Sequence, residues 1–248
     1  MDFPTFAVAE ARYAAGLRLR RHAHDYSNVT IVTAGQIEEC AEGGEYRAWP
    51  SSVVVKAAGC EHENRVSGRG AAALTIRFDA GSPFGKLIGG RAWTWLDEPS
   101  IVRDALALQR AFARQDEADV ERSAVALIES VVAAHDTNGD EPAWIDAIRN
   151  ILDARFDESD LRFDNLARDF GLHPVYASRA FRRHTGVSMR GFVRARRLRS
   201  ARRELSSTRR NIGAIAQQSG FADASHLART FARELGVTPK TYRVLTRG

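Results

Sequence analysis

Three histidines in the first quarter of the chain have the spacing to converge on one ligand. His22 and His24 lie two residues apart, which on an extended strand points both rings the same way, and His62 can join them only from a neighbouring strand. Such a cluster can bind a first-row transition metal through imidazole nitrogens, hydrogen-bond a small molecule, or simply pack. Trp49, Trp93 and Trp95 are candidate walls of a pocket around it, with ordinary core packing as the alternative. The second reservoir of chemistry is guanidinium. Residues 143–248 carry 21 Lys+Arg against 10 Asp+Glu, a net +11, while the rest of the chain carries 15 against 21, a net −6. A basic half joined to an acidic half points to a polyanion partner for one half only. Its cations are nearly all arginine, which suits bidentate contacts with phosphate and guanine.

Other classes are disfavoured by what the chain lacks. Cys40 and Cys60 are too few for a disulfide framework or a cysteine-ligated zinc site at usual spacing. No apolar run reaches membrane-spanning length. The N-terminal MDFPTFAVAEARY has an acid where a secretory leader would be basic, so a cytoplasmic location without a membrane partner is expected.

The elements that must position these groups divide the 248 residues in two. Residues 1–98 are β-rich: Leu17, Val29–Val32, Tyr46–Trp49, Val53–Val55 and Leu74–Phe78 are strand candidates. Gly35, Gly43-Gly44, Gly59 and Ser67-Gly68 read as turns, a pattern of short strands that suggests a barrel or jelly roll. Residues 99–136 switch to helical periodicity, with Ile101, Val102, Ala105, Leu106, Leu108 and Phe112, then Val120, Ala124, Leu127, Ile128, Val131 and Val132. This hairpin either caps the barrel or offers an apolar stripe to a second copy as a dimerisation element. Residues 137–142 read as a linker, and 143–248 as an all-α domain.

Within that domain one unit occurs twice. Asp164–Phe170, a turn at Gly171, and a helix from Pro174 to His184 that stops at Gly186 make a helix-turn-helix. AFRRHTGVS from Ala180 returns as TFARELGVT from Thr230, and Ala167-x3-Gly171 returns as Ala216-x3-Gly220. Between the copies, Ser188 is the expected N-cap of a connector helix of about 18 residues, spanning about 27 Å at roughly 1.5 Å per residue. Phe192, Ala195, Leu198, Ala201 and Leu205 form its expected inner stripe, and Arg190, Arg194, Arg196, Arg197, Arg199, Arg202 and Arg203 surround it. That span is close to the roughly 34 Å between successive major-groove faces.

Ile215-Ala216, Gly220-Phe221-Ala222-Asp223, Ser225-His226-Leu227, Arg229-Thr230-Phe231, Gly236-Val237-Thr238-Pro239 and Tyr242-Arg243 closely resemble the motif residues of the AraC/XylS family of transcriptional regulators. The resemblance implies an α+β two-domain protein: an N-terminal cupin-like barrel with a helical hairpin, and a C-terminal double helix-turn-helix. It implies base contacts from Val175, Ser178 and Arg179 in the first recognition helix and from Ala224, Ser225, Ala228 and Arg229 in the second. Arg182, Arg183, His226 and Arg233 would lie near phosphates. The implied partners are double-stranded promoter DNA, a small-molecule effector, a second copy, and RNA polymerase if the protein activates, the commoner habit of the family; no cofactor and no enzymatic activity are implied. Gly16-x5-His22-x-His24, Asn28 and Gly35 are similar to the first cupin motif, with Asn28 at the place of its acidic ligand, and Gly59-x2-His62 resembles part of the second. With that carboxylate missing, His22, His24, Trp49 and His62 are expected to bind an effector rather than a metal. A metal-dependent cupin enzyme fused to a DNA-binding domain is the alternative.

Overall fold

A computed structural model describes residues 1–3, 5–42, 44–79, 81–82, 85, 93–134, 142–158 and 161–247. The expected linker falls largely outside them. The N-terminal half is a seven-stranded antiparallel sheet: β1 (Ala7–Tyr13), β2 (Arg18–His22), β3 (Tyr26–Ala41), β4 (Gly44–Ala48), β5 (Val53–Lys56), β6 (His62–Asp79) and β7 (Trp93–Leu96). The strand order is β1-β6-β3-β5-β7, and β2 and β4 extend the other ends of β6 and β3.

Two strands of 16 and 18 residues replace the expected run of short ones. β3 and β6 pair along their length and serve both ends of the sheet, bending where the register shifts between Val32 and Ala34 and between Gly35 and Ile37. Gly35 and Ser67-Gly68, expected as turns, therefore lie inside strands. Gly35 has φ 73°, and a Cβ there would sit 2.1 Å from the Gly70 carbonyl oxygen. Glycine marks a bulge at a close backbone approach here, which single-strand patterning does not distinguish from a turn.

Strand alternation gives the sheet two unlike faces. Val8, Val29, Ile31, Val53, Val55, Leu74, Ile76 and Phe78 pack against a hairpin of α1 (Pro99–Ala113) and α2 (Glu117–Ala133). Their neighbours Asn28, Thr30, Lys56, Thr75 and Arg77 line a concave polar face.

The C-terminal half comprises α3 (Ala143–Ala154), α4 (Phe163–Asp169), α5 (Pro174–Thr185), α6 (Met189–Ser207), α7 (Ile212–Gln218), α8 (Ala224–Leu235) and α9 (Pro239–Leu245). The duplicated turns match bond for bond. Leu172 N–H donates to the Ala167 carbonyl at 3.0 Å and Phe221 N–H to the Ala216 carbonyl at 2.9 Å, after glycines at φ 68° and 77°. Ser188, Asn211, Asp223 and Thr238 each cap a helix by accepting from the backbone N–H three residues on.

The two units have separate cores. Ile145, Ile148, Leu152, Leu166, Ala177, Phe181, Met189 and Val193 form the first. The second gathers Leu198, Ala201, Leu205, Ile215, Ala216, Phe221, Leu227, Phe231, Leu235 and Tyr242, and it also takes in Val102 and Leu106 from α1. The connector α6 thus buries Met189 and Val193 in one core and Leu198, Ala201 and Leu205 in the other, rather than the single expected stripe, and Phe192 and Ala195 stay half-buried. Val102 and Leu106 of the hairpin are fully buried in the second unit's core, and Val120, Leu127, Ile128 and Val131 against the sheet.

Candidate DNA interface and ligand cavity

The first recognition helix, α5, begins at Pro174, where a missing N–H costs nothing, and anchors through Ala177, Ala180 and Phe181. Val175, Ser178, Arg179, Arg182 and Arg183 stand on its exposed side. Val175 is 51% and Tyr176 54% exposed, unusual for large apolar side chains and suited to base edges or thymine methyls. Tyr176 was not singled out in the sequence.

The second recognition helix, α8, starts at Asp223, whose Oδ1 accepts from His226 N–H at 2.7 Å; this bond holds the Asp223 carboxyl below its usual range. Leu227, Thr230, Phe231 and Leu235 bury one face. Ser225, Arg229 and Arg233 are exposed and Ala224 and Ala228 half-buried. His226 packs edge-on against Phe221 at 5.3 Å, so its ring supports the turn at the base of the helix. Arg179 and Arg229 make no ion pair among the described residues, whereas Arg233 shares Glu234 with Arg194.

A groove of about 390 Å³ separates the units, with Arg190, Arg194 and Arg197 of the connector facing Arg229 and Arg233 of α8. Arg197 closes its floor by donating to the Phe156 and Glu158 carbonyls at 2.6 and 2.8 Å. The sequence placed Arg190 and Arg194 on the connector surface but gave no sign that they face the second recognition helix.

The second unit is bolted to the sheet. Asp97, one residue beyond β7, receives Arg199 Nε at 2.6 Å and Arg202 Nη2. Arg202, expected on the surface, is 5% exposed. Arg199 also donates to the Tyr46 hydroxyl at 2.6 Å. The Tyr242 hydroxyl donates to the Pro50 carbonyl at 2.8 Å and lies 2.9 Å from Ser51 Oγ. Ser51 sits at φ 65°, a conformation costing a non-glycine residue about 1–2 kcal/mol. Trp49, expected in the effector pocket, instead lies under the Arg203 guanidinium at 4.6 Å.

The concave face of the sheet encloses a cavity of about 200 Å³. His22, His24 and His62 all reach it, with ring centroids 4.4–5.3 Å apart. Burial, then the nearby Lys56 ammonium, hold His62 down to about 4, and burial also lowers His24. Deeper in, Lys56 Nζ donates to Glu39 at 2.9 Å, and Trp93 Nε1 to the other Glu39 oxygen at 2.5 Å. Trp95 walls the cavity and stacks on Tyr46 at 4.4 Å. Of the three candidate walls, Trp95 of β7 lines the cavity, whereas Trp49 and Trp93 do not.

A duplicated helix-turn-helix with exposed, arginine-bearing second helices defines a DNA-binding domain. A model of the helix-turn-helix domain family matches residues 166–244. Over 92 residues the chain is 33% identical to the regulatory protein PocR of Salmonella typhimurium, covering 37% of this chain and 30% of PocR. Over 97 residues it is 33% identical to the HTH-type transcriptional activator RhaR of Yersinia pseudotuberculosis, covering 39% and 32%. The chain thus spans about a third of the length of these two relatives. ToxT of Vibrio cholerae aligns over 98% of this chain and all of its own, at 12% identity and a TM-score of 0.42, too loose a likeness to carry function. Residues 166–244 thus form a helix-turn-helix domain similar to that of these transcriptional regulators. Among the described residues no helix is long and apolar enough to cross a membrane.

Proposed function

We propose that the protein is a sequence-specific transcriptional regulator whose DNA-binding half is controlled from the cavity in its sheet. The observation that carries this reading is the pair of recognition helices with exposed Arg179 and Arg229, which precede and follow a 19-residue connector in the sequence. In it, Val175, Ser178, Arg179, Ala224, Ser225, Ala228 and Arg229 face bases. Arg182, Arg183 and Arg233, joined by Arg190 and Arg194, face phosphates. His226 holds the second turn in shape. The units read 1–98 as sensor and 143–248 as reader, with the hairpin of 99–136 shared between them. Pairing of two copies on one operator, contact with RNA polymerase if the effect is activation, and a cytoplasmic site of action belong to the same proposal. None of these roles requires catalysis.

Control from the cavity is supported by an unbroken chain of contacts. Trp95 walls the cavity and stacks on Tyr46; Tyr46 and Asp97 hold Arg199; Asp97 holds Arg202 in the core of the second reading unit. A ligand can bias the arrangement only by its differential affinity for two states.

The test is recovery of genomic fragments bound by the full chain, followed by titration of the enriched site and of random DNA at several salt concentrations. Binding that weakens with salt is expected. Arg229→Ala should cost about 1–3 kcal/mol on the enriched site and less on random DNA. Equal losses on both would move Arg229 to the backbone, and an absence of salt-dependent binding by the full chain would overturn the proposal.

A further inference from the structure

We propose that His22, His24 and His62 form a binding site for one first-row divalent metal ion. The inference deepens the reading of the cavity as a sensor site, although the binding it claims does not depend on DNA recognition.

The geometry of the donors carries it. One nitrogen from each ring can be chosen so that all three lie within 4.8 Å of one another. A tetrahedral ion with bonds of 2.0–2.1 Å asks for nitrogen separations of about 3.4 Å, so each donor must move inward by about 0.8 Å at most. Side-chain rotation supplies that, because the rings converge from β2, from the segment after it and from the start of β6.

The hydrogen bonds behind the rings point the same way. His22 Nδ1 lies 2.8 Å from the Arg20 carbonyl, and His62 Nδ1 lies 3.0 Å from the Cys60 carbonyl. A carbonyl only accepts, so both Nδ1 atoms carry the proton and both Nε2 atoms present a lone pair. Backbone carbonyls that fix the tautomer and aim of ligating imidazoles are a regular part of metal sites. Two histidines on different strands share this device, each using the carbonyl two residues before it. His24 is steadied by stacking on Tyr26 at 4.9 Å.

Charge and volume are compatible with a dication. Lys56 and Arg77 face the cavity, but so do Glu39 and Glu10, and Lys56 is tied to Glu39. Three protein ligands leave a position open, and the small cavity admits water or a compact oxygen ligand there. A drug-sized molecule needs roughly 300 Å³ or more.

The test uses untagged full-length protein stripped with a chelator. Zn²⁺ is titrated by calorimetry, Co²⁺ by visible absorption, and thermal unfolding is followed with and without each ion. One ion per chain, ligand-field bands for Co²⁺ and a raised Tm are expected. His22→Ala and His24→Ala should each weaken binding at least about 100-fold, and His62→Ala should match them. His22 and His24 are only half-buried, so these two variants carry the test if His62→Ala misfolds. His184→Ala should leave affinity unchanged. Substoichiometric binding, or binding indifferent to all three histidine substitutions, would overturn the proposal. DNA binding is read on the same preparation: its retention without a metal site removes only this inference, and its loss despite an intact metal site removes only the regulator.

Discussion

Asp97 holds two arginines of the connector helix at once, Arg199 through Oδ2 and Arg202 through Oδ1, and so ties the end of the sheet to the core of the second helix-turn-helix. Arg202 is nearly sealed from water. Asp97→Ala strands its charge, and breaking such a buried pair costs about 3–5 kcal/mol. Urea unfolding of the full chain should show this loss. Replacing Arg202 by methionine in the same background should restore much of it, because the uncompensated charge leaves with the guanidinium.

Val102 and Leu106 of α1 are fully buried in the core of the second unit. Each is worth roughly 1.5–3 kcal/mol of burial, against a total stability of about 5–15 kcal/mol for a domain. A fragment of residues 143–248 should therefore melt well below the full chain. One beginning at residue 99 should regain part of the difference. Differential scanning calorimetry of the three proteins decides it, and equal melting temperatures would show that the α1 contact contributes nothing.

Tyr242 is wholly buried, and burial raises its hydroxyl pKa above 10. The unfolded chain ionises first as pH climbs. The resulting stability is fully present below pH about 10 and is lost as pH rises through the folded value. Tyr242→Phe should lower stability near neutrality by about 1–2 kcal/mol, through the orphaned Pro50 carbonyl. It should also flatten the alkaline loss, which stability curves between pH 8 and 11 would reveal.

Asp223 caps the second recognition helix, and its bond to the His226 N–H lowers its pKa. A depressed acid contributes stability above the unfolded value of about 3.9 and loses it as pH falls through the folded value. Asp223→Asn keeps an accepting oxygen without the titration, so helix content between pH 5 and 2 should decline less in that variant. Asp223→Ala should weaken the helix at every pH. An identical acid profile for all three proteins would show that the cap does not govern this helix.

Legibility in the sequence followed the range of the interactions. The duplicated turns were readable because Ala167 with Gly171, and Ala216 with Gly220, each do their work within a span of five residues, and Ser188 and Asp223 cap where their spacing says they must. The sheet half was readable only in class. Gly35 reads as a turn until Gly70, thirty-five positions away, is seen pressing on it. His22, His24 and His62 were legible as a cluster because two share a strand periodicity; Trp49, Trp93 and Trp95 stood as equal candidates for its wall, and Trp95 lines it, because nothing local distinguishes one tryptophan from another. Arg202 looked like its exposed neighbours because the carboxylate that buries it lies 105 residues upstream.

The two helix-turn-helix units share a common plan, yet only the second has α1 in its heart. Whatever copying event produced the pair, the halves no longer live under equal obligations. Change in the second must satisfy a groove on one side and a foreign helix on the other, whereas the first answers to its own interior and to DNA. New operator preferences would accordingly be easier to acquire through α5 than through α8.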